Sequence, residues 1–217
     1  MFQTFDSPPA GTDRGERIAR LRHLMAKAGL DAVLAPRSDE HQGEYVAPSA
    51  ERLAWVTGFT GSAGLAVVAR TAAAVFVDGR YTVQARAQLD TRVFEILEIP
   101  GARLGEWLER KLATGAVVGF DPWLHTANAI EDLTKSLEDK GIKLKVLARN
   151  LVDRAWGSAR PEPPKAPVVA HALRYAGKPA EQKIGELQAA LRKDGQDAAV
   201  LTLPDSIAWL LNIRGSD

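Results

Sequence analysis

Residues Gly64 to Val77 read GLAVVARTAAAVFV. Two apolar runs, residues 64–69 and 73–77, flank a short turn that contains Arg70 and Thr71. Apolar runs of this length joined by a polar turn are typical of a β-hairpin. The hairpin places a pair of antiparallel strands inside whatever sheet the rest of the chain builds.

Helical and strand patterns alternate on both sides of the hairpin. Apolar residues with helical spacing predict a first helix that ends at Gly29. The same spacing predicts further helices over 51–57, 80–89, 104–112, 127–140 and 150–156. Short apolar runs predict strands over 31–35, 93–99, 117–120 and 144–147. Such alternation favours an α/β fold, and the hairpin makes the sheet mixed rather than purely parallel. We therefore expect a mixed β-sheet flanked by helices.

The chain also nearly repeats itself. An offset of 166 residues relates Ile18, Leu21, Gly29, Asp31 and Ala32 to Ile184, Leu187, Gly195, Asp197 and Ala198. An offset of 154 relates Trp55 and Gly61 to Trp209 and Gly215. Internal similarity of this kind indicates two units of one type. Because little sequence follows the second Gly-Ser pair, we expect one complete domain and an incomplete second copy of the same type.

A proline-rich stretch separates the two copies. Residues 157–167 read GSARPEPPKAP and hold four of the 12 prolines in the chain. Proline removes a backbone donor and restricts φ, so this stretch is typical of a semi-rigid linker. The predicted organisation is a first domain over 1–156, a linker over 157–167 and the truncated start of a second domain over 168–217. The last part is predicted to contain a helix over 181–193, a strand over 198–202 and a short helix over 206–211.

Composition excludes several classes of protein. The 28 basic and 27 acidic residues leave a net charge of +1, which argues against nucleic acid as a partner. The sequence has no cysteine, so disulfides, thiolate metal sites and a cysteine nucleophile are excluded. No apolar run approaches the roughly 20 residues that span a bilayer, and no secretory signal begins the chain. We expect a cytoplasmic protein without a membrane partner.

A glycine-rich segment, GFTGSAG at residues 58–64, has two interpretations. It could cradle a phosphate, but it matches neither the dinucleotide fingerprint nor a Walker A loop. It also leads into a predicted strand, so no helix N-terminus would face a phosphate. A tight turn entering the hairpin is the favoured interpretation.

The segment DEHQGEY at residues 39–45 concentrates carboxylates, the imidazole of His41 and the phenol of Tyr45. A metal site would need convergent ligands, and His41 has no second histidine at helical spacing. Two alternatives to a metal site stay open: a solvated loop and a loop held at a domain interface. The sequence shows no Ser-His-Asp set, no activated lysine and no convincing carboxylate pair, so no catalytic residue is predicted.

The segment DGRY at residues 78–81 follows the second strand of the hairpin. It could be a simple turn in which Asp-Gly bends the chain. Alternatively, Arg80 could project from a rigid sheet end and clamp a carboxylate or a peptide carbonyl through two hydrogen bonds.

Five motifs taken together resemble a known family. They are residues 39–48, residues 58–64, residues 78–81, the group Asn150, Asp153, Trp156 and Pro161, and residues 207–217. Their order and spacing are similar to the N-terminal half of Xaa-Pro aminopeptidases (aminopeptidase P) of the long, three-domain cytosolic type. That type begins with two domains of creatinase/prolidase N-terminal type, followed by a catalytic domain.

The resemblance implies a function for the parent protein. The family removes the N-terminal residue that precedes proline, using two divalent metals, usually manganese or zinc, bound in the third domain. Because that domain is absent here, the resemblance assigns no metal ligand, cofactor or catalytic residue to this chain, which alone is expected to be inactive. The expected role is substrate access, recognition and dimerisation, with a peptide carrying proline at its second position as substrate and a homodimer as assembly.

The resemblance also implies roles for individual residues. The arginine of the family's Asp-Gly-Arg-Tyr motif reaches the substrate peptide, and here it is Arg80. His41, Glu44 and Tyr45 match a family loop whose role would be structural or interfacial. Two alternatives stay open: a stand-alone, non-catalytic peptide-binding or interaction module, and the N-terminal half of a prolidase or creatinase relative.

Overall fold

The computed structural model describes residues 14–101 and 103–215, and a six-stranded mixed sheet lies at its centre. The strands are β1 Ala32–Pro36, β2 Leu65–Ala69, β3 Ala73–Asp78, β4 Glu95–Ile99, β5 Val117–Phe120 and β6 Lys143–Val146. Their order is β4-β3-β2-β1-β5-β6. Strand β2 runs antiparallel to β1 and β3, whereas the other neighbouring pairs are parallel. The predicted hairpin and the mixed sheet are confirmed.

The topology of the sheet brings the ends of several strands together at one edge. Because only β2 is reversed, the carboxyl ends of the other five strands meet at one edge of the sheet. The amino end of β2 lies at the same place. We call this the carboxyl-end edge.

Helices cover both faces of the sheet. The helices of the first unit are α1 Arg14–Lys27, α2 Arg52–Thr57, α3 Thr82–Gln88, α4 Leu104–Lys111, α5 Ala127–Ser136 and α6 Leu151–Trp156. Buried residues of α1, α2, α3 and α6 share one apolar cluster. Buried residues of α4 lie in the second cluster, and the half-buried Ile130 and Leu133 of α5 pack against it. In β2, Ala66 and Val68 belong to the first cluster while Val67 and Ala69 belong to the second. This two-sided burial explains why the central strands β1, β2 and β3 are almost continuously apolar rather than alternating.

Capping residues set several helix ends. Gly29, at φ +66°, follows α1, and the Thr126 hydroxyl accepts a hydrogen bond from the Ala129 amide at 3.3 Å. The predicted extension of the fifth helix to residue 140 is wrong, because α5 ends at Ser136. Beyond it the chain turns, with the Gly141 amide donating to the Glu138 carbonyl at 2.9 Å.

The C-terminal segment forms a small second unit. It contains α7 Leu173–Ala176, α8 Ala180–Lys193 and α9 Pro204–Leu211, with β7 Val169–Ala170 paired antiparallel to β8 Ile213–Arg214. The predicted strand over 198–202 is wrong. Within the described part of the chain no strand pairs with it, and Val200 is 88% exposed. Apolar composition alone does not make a strand, because the backbone groups also need a hydrogen-bonding neighbour.

The sequence repeat reappears as a repeated contact. In the first copy, Arg17 Nη1 donates to the Trp55 carbonyl at 2.8 Å, and its guanidinium lies 5.3 Å from the centroid of that indole. In the second copy, Lys183 Nζ donates to the Trp209 carbonyl at 2.7 Å and lies 4.3 Å from the ring. The two cations are 166 residues apart and the two tryptophans 154 apart, as in the sequence comparison. Each copy thus joins its long helix to the end of its short helix by the same cation and carbonyl pair.

We expect Lys183→Met to loosen α9. Lys183 is buried and also donates to Asn212 Oδ1 at 2.8 Å, so the substitution removes both bonds and leaves the helix C-terminus unsatisfied. The free energy of local opening of α9 should fall by about 1–2 kcal/mol. Amide hydrogen exchange would measure it, with exposed Lys193→Met on α8 as the control. Unchanged protection of α9 in Lys183→Met would contradict the expectation.

Within residues 14–101 and 103–215, no helix combines the length and the apolar character needed to cross a membrane.

Candidate functional site

The carboxyl-end edge collects polar side chains that are distant in sequence. Arg37 directly follows β1, the 3₁₀ turn Gly79–Tyr81 directly follows β3, and Ser62 lies shortly before β2. Loops at the carboxyl ends of parallel strands are where open α/β sheets usually bind ligands. The edge is therefore the candidate functional site.

Arg80 is an exposed cation at this edge. Its side chain is 65% exposed, yet it is oriented by Asp78: Nη2 donates to Oδ2 at 2.6 Å and Nε to Oδ1 at 3.1 Å. The Arg80 amide also donates to Asp78 Oδ1, at 2.9 Å. These side-chain and backbone hydrogen bonds lower the pKa of Asp78 below its usual 3.8, so its carboxylate stays ionised at neutral pH. Arg80 thus presents a guanidinium whose direction is set by its own turn.

Tyr81 connects this turn to the glycine-rich loop. Its hydroxyl lies 2.5 Å from the Ser62 hydroxyl, and this hydrogen bond lowers the pKa of the phenol. Its ring meets Phe59 edge-on, with centroids 5.6 Å apart. The guanidinium carbon of Arg80 lies 5.2 Å from the Tyr81 ring. The motifs 58–64 and 78–81 therefore form one structural unit.

Arg37 ties the neighbouring loops together. Its Nη1 donates to the carbonyls of Glu44 at 2.7 Å and Ser62 at 3.3 Å, while Nη2 pairs with Glu51 Oε1 at 3.3 Å. Burial raises the pKa of Glu51, and the charge of Arg37 opposes that shift. Sequence reasoning missed Arg37, since a single arginine after a strand carries no distinguishing pattern.

The loop with His41, Glu44 and Tyr45 is held in place but largely solvated. Asp39 Oδ1 accepts from the amides of His41 at 3.0 Å and Gly43 at 3.1 Å. The Tyr45 side chain extends into solvent, with the residue 80% exposed. His41 lies 4.0 Å from Glu40 Oε1. The interfacial role of this loop stays a prediction.

The donor set does not fit a bound metal. Among the described residues, no group of three or more His, Asp and Glu side chains is arranged to hold a metal ion. Metal-assisted hydrolysis needs several convergent ligands. No chemical step of a metallopeptidase is therefore assigned to these residues.

The glycine-rich segment is a turn, as the favoured interpretation predicts. Gly58 ends α2 at φ +80°. A side chain at Gly61 would collide with the Phe59 ring, which is buried. These glycines serve backbone geometry and close packing, and no helix opens after them.

A buried ion pair fastens α2 to α6 and to the following linker. Arg52 Nε and Nη2 donate to the two carboxylate oxygens of Asp153 at 2.7 and 3.0 Å. Arg160 Nη1 reaches the same carboxylate at 3.0 Å, and its Nε donates to the Ser49 carbonyl at 2.8 Å. Sequence patterns did not indicate the pair of Arg52 and Asp153, because these two residues are 101 positions apart.

Comparison with known proteins accounts for this architecture. Residues 17–152 match the model of the Creatinase/Prolidase N-terminal domain, and residues 159–217 match a second model of the same description. The chain belongs to the creatinase/prolidase N-terminal domain family. The predicted fold class and the resemblance to this family are thereby confirmed.

Similar proteins include several aminopeptidases of fungi. The probable Xaa-Pro aminopeptidases P of Talaromyces stipitatus and Neosartorya fischeri are each 42% identical to it, over 93% of this chain. This chain covers 31% of each, so it spans about a third of the length of these relatives. The matched part is their N-terminal region and not their catalytic domain.

Two solved structures share this creatinase/prolidase N-terminal fold. An X-prolyl aminopeptidase from Caenorhabditis elegans, described as a cytosolic enzyme with a di-nuclear active site, superposes with a TM-score of 0.83 at 36% identity. The match covers 95% of this chain and 35% of that one. The N-terminal domain of cytoplasmic peptidase PepQ from Mycobacterium tuberculosis H37Rv matches with a TM-score of 0.50 at 26% identity, over 64% of this chain and 98% of that one.

Proposed function

We propose that this creatinase/prolidase N-terminal region serves a cytoplasmic Xaa-Pro aminopeptidase, in which its carboxyl-end edge contacts the peptide substrate. The full-length enzyme would remove an N-terminal residue that precedes proline. This region would shape access to the catalytic centre, recognise the substrate and support a homodimer. The similarity to full-length aminopeptidases and the cytosolic description of the Caenorhabditis elegans enzyme support the proposal.

The orientation of Arg80 is the main structural support for the proposed contact with the peptide substrate. An exposed guanidinium that a neighbouring carboxylate already directs loses little conformational entropy when it binds a peptide carbonyl or carboxylate. Arg37 and Ser62 hold the adjacent loops, so the surface around Arg80 is pre-organised.

Two metals, manganese or zinc, belong to the proposed parent enzyme and not to this region. The similar Caenorhabditis elegans protein is described as di-nuclear, and the described residues here offer no fitting ligand set. Activation of water would then be the task of a separate catalytic domain. The chain of 217 residues should show no turnover of a Xaa-Pro peptide even with added manganese.

Substitution of Arg80 tests the recognition role. In the full-length enzyme we expect Arg80→Ala to lower kcat/KM for a Xaa-Pro peptide about 10- to 100-fold. This is the effect of losing one charge-assisted hydrogen bond of about 1.5–3 kcal/mol. Steady-state kinetics would measure it, and the melting temperature should stay unchanged because the side chain is exposed.

Arg86→Ala is the matched control. Arg86 is 73% exposed on α3 and pairs with Glu98 at 3.7 Å, so the substitution removes one nearby surface charge. The control should retain nearly full kcat/KM. Equal losses in the two variants, or a large fall in melting temperature for Arg80→Ala, would contradict a recognition role. Turnover by residues 1–217 alone would contradict the proposed division of labour.

The domain limits 1–156, 157–167 and 168–217 and the roles of His41, Glu44 and Tyr45 stay predictions.

A further inference from the structure

Two exposed aromatic side chains lie at the carboxyl-end edge. Within residues 14–101 and 103–156, the Phe, Tyr and Trp residues that are more than half exposed are Tyr45 and Trp123, at 80% and 72%. Tyr45 lies on the loop that follows β1, and Trp123 lies on the 3₁₀ turn Pro122–Leu124 that follows β5. Aromatic residues and arginine are enriched where proteins bind partners. Both exposed rings therefore lie at the edge where Arg80 is also exposed.

A rigid turn holds the backbone of Trp123. Pro122 restricts φ at the start of the turn, and Asp121 Oδ1 accepts a hydrogen bond from the Trp123 amide at 3.0 Å. Asp121 Oδ2 accepts from Asn150 Nδ2 at 2.9 Å, which joins the turn to the start of α6. The next residue, Leu124, is buried and fixes the turn against the core. The indole thus extends into solvent from an ordered backbone, so binding costs it little conformational entropy.

The loop of Tyr45 lies beside the Arg80 surface. Arg37 Nη1 donates to the Glu44 carbonyl at 2.7 Å, so the residue next to Tyr45 is fixed to the end of β1. The pKa of Arg80 is raised, mainly by its hydrogen bonds to Asp78 and to a smaller extent by the charge of Glu44. Glu44 is therefore within electrostatic reach of Arg80, and Tyr45 follows it directly in the chain.

The strand order sets the distance between Arg80 and Trp123. Arg80 follows β3, Trp123 follows β5, and β2 and β1 lie between these two strands. Neighbouring strands are about 4.8 Å apart, so the two strand ends are separated by roughly 14 Å. Val33 of β1 pairs with Gly119 of β5, so the turn of Trp123 begins at the level at which β1 ends. An extended peptide rises about 3.3 Å per residue, so four or five residues cover this distance.

We propose that Trp123 binds an apolar side chain of the peptide substrate, four or five residues beyond the residue that contacts Arg80. Tyr45 lines the path between these two contacts. The inference rests on the proposed function, because its ligand is the peptide that Arg80 contacts. An indole gains more from an apolar or aromatic side chain than from glycine or serine. The enzyme would therefore select peptides by a residue far beyond the bond that it cleaves.

Kinetics of the full-length enzyme on peptides of two lengths test the proposal. The substrates are the tripeptide Ala-Pro-Gly and ten-residue peptides that begin with Ala-Pro and otherwise contain Gly and Ser. A single Phe is moved from the fifth to the tenth position. We expect one or two adjacent Phe positions to raise kcat/KM about three- to tenfold over the peptide without Phe. In Trp123→Ala this gain should vanish, whereas the tripeptide, which spans only about 10 Å, should be cleaved as before.

Two further variants separate a direct contact from an indirect effect. Trp123→Phe keeps an aromatic ring and should retain most of the gain from Phe. Tyr175→Ala removes an aromatic side chain of the second unit that is 68% exposed, and it should leave the gain unchanged. The melting temperature of Trp123→Ala should equal that of the wild type, because the indole is mostly in solvent.

Three results would overturn the proposal alone. They are a wild-type enzyme that is indifferent to the position of Phe, a gain that persists in Trp123→Ala, and equal losses for the tripeptide and the longer peptides. The last result would assign Trp123 to a contact between domains. Failure of the wild-type enzyme to cleave the tripeptide would instead overturn the proposed function, and this inference with it. The two failures are therefore distinguishable.

Discussion

Asp153→Ala should lower the free energy of unfolding by about 3 kcal/mol or more. Arg52 is only 6% exposed, and its guanidinium is neutralised by the carboxylate of Asp153 through two hydrogen bonds. Removal of one partner leaves a buried charge without compensation, which typically costs about 3–5 kcal/mol. Arg160 loses its ionic partner as well, so the start of the linker is released from α6. Urea unfolding monitored by circular dichroism would measure the change.

A second substitution separates charge burial from simple loss of contacts. In the double variant Asp153→Ala with Arg52→Met, no charge remains buried, so we expect most of the lost stability to return. Glu162→Gln is the surface control, because Glu162 pairs with Lys165 at 2.8 Å but is 82% exposed. It should change stability by less than about 0.5 kcal/mol. A double variant as unstable as Asp153→Ala would show that the buried charge is not the cause.

Trp107→Ala should destabilise the fold by about 3–5 kcal/mol. Trp107 is 1% exposed and packs in the apolar cluster between the sheet and the helices α4 and α5. Its Nε1 donates to Glu95 Oε2 at 3.1 Å, so the substitution also removes a hydrogen bond to β4. The truncated side chain leaves a cavity that rigid neighbours fill only in part. Thermal and urea unfolding would both report the loss.

Trp107→Phe is the graded control for this prediction. It keeps a large aromatic ring and loses mainly the hydrogen bond to Glu95, so we expect a much smaller loss, about 1–2 kcal/mol. Glu95 also pairs with Lys111 and Arg110, and these partners should keep its carboxylate satisfied. If the two variants were equally unstable, the hydrogen bond rather than the buried volume would be the main contribution of Trp107.

Periodicity and repetition in the sequence predicted most of the elements. The run GLAVVARTAAAVFV forms β2 and β3 as expected, because a chain buried on both faces must be apolar throughout. The repeated helix and tryptophan positions also survive as matching contacts of Arg17 and Lys183. These features are local or recur at a constant offset, so one sequence carries their signal.

The wrongly predicted strand over 198–202 shows a limit of prediction from local sequence patterns. Its apolar residues resemble those of β1 in the first copy, yet the described residues provide no strand beside it. Strand formation depends on a partner for the backbone hydrogen bonds, and a pattern within one segment contains no information on that partner. Helix α8 needed no such partner, and its predicted range was nearly correct.

The residues of the candidate site also differ in whether the sequence indicated them. The sequence singled out Arg80, because an arginine after Asp-Gly at a strand end is a readable pattern and the family motif supports it. It did not indicate the Arg52 and Asp153 pair or the Arg37 contacts. Each of these joins residues from different elements of the sheet and its helices.

Sequence patterns were sufficient to predict an α/β protein with an internal repeat and a turn at the Asp-Gly-Arg-Tyr motif. Periodicity, glycine and proline act over a few residues, so they can be read directly from the chain. The side chains that meet at the carboxyl-end edge could be identified only from the folded structure. Their arrangement depends on strand order and helix packing, which bring together residues that are far apart in the chain and which no local pattern encodes.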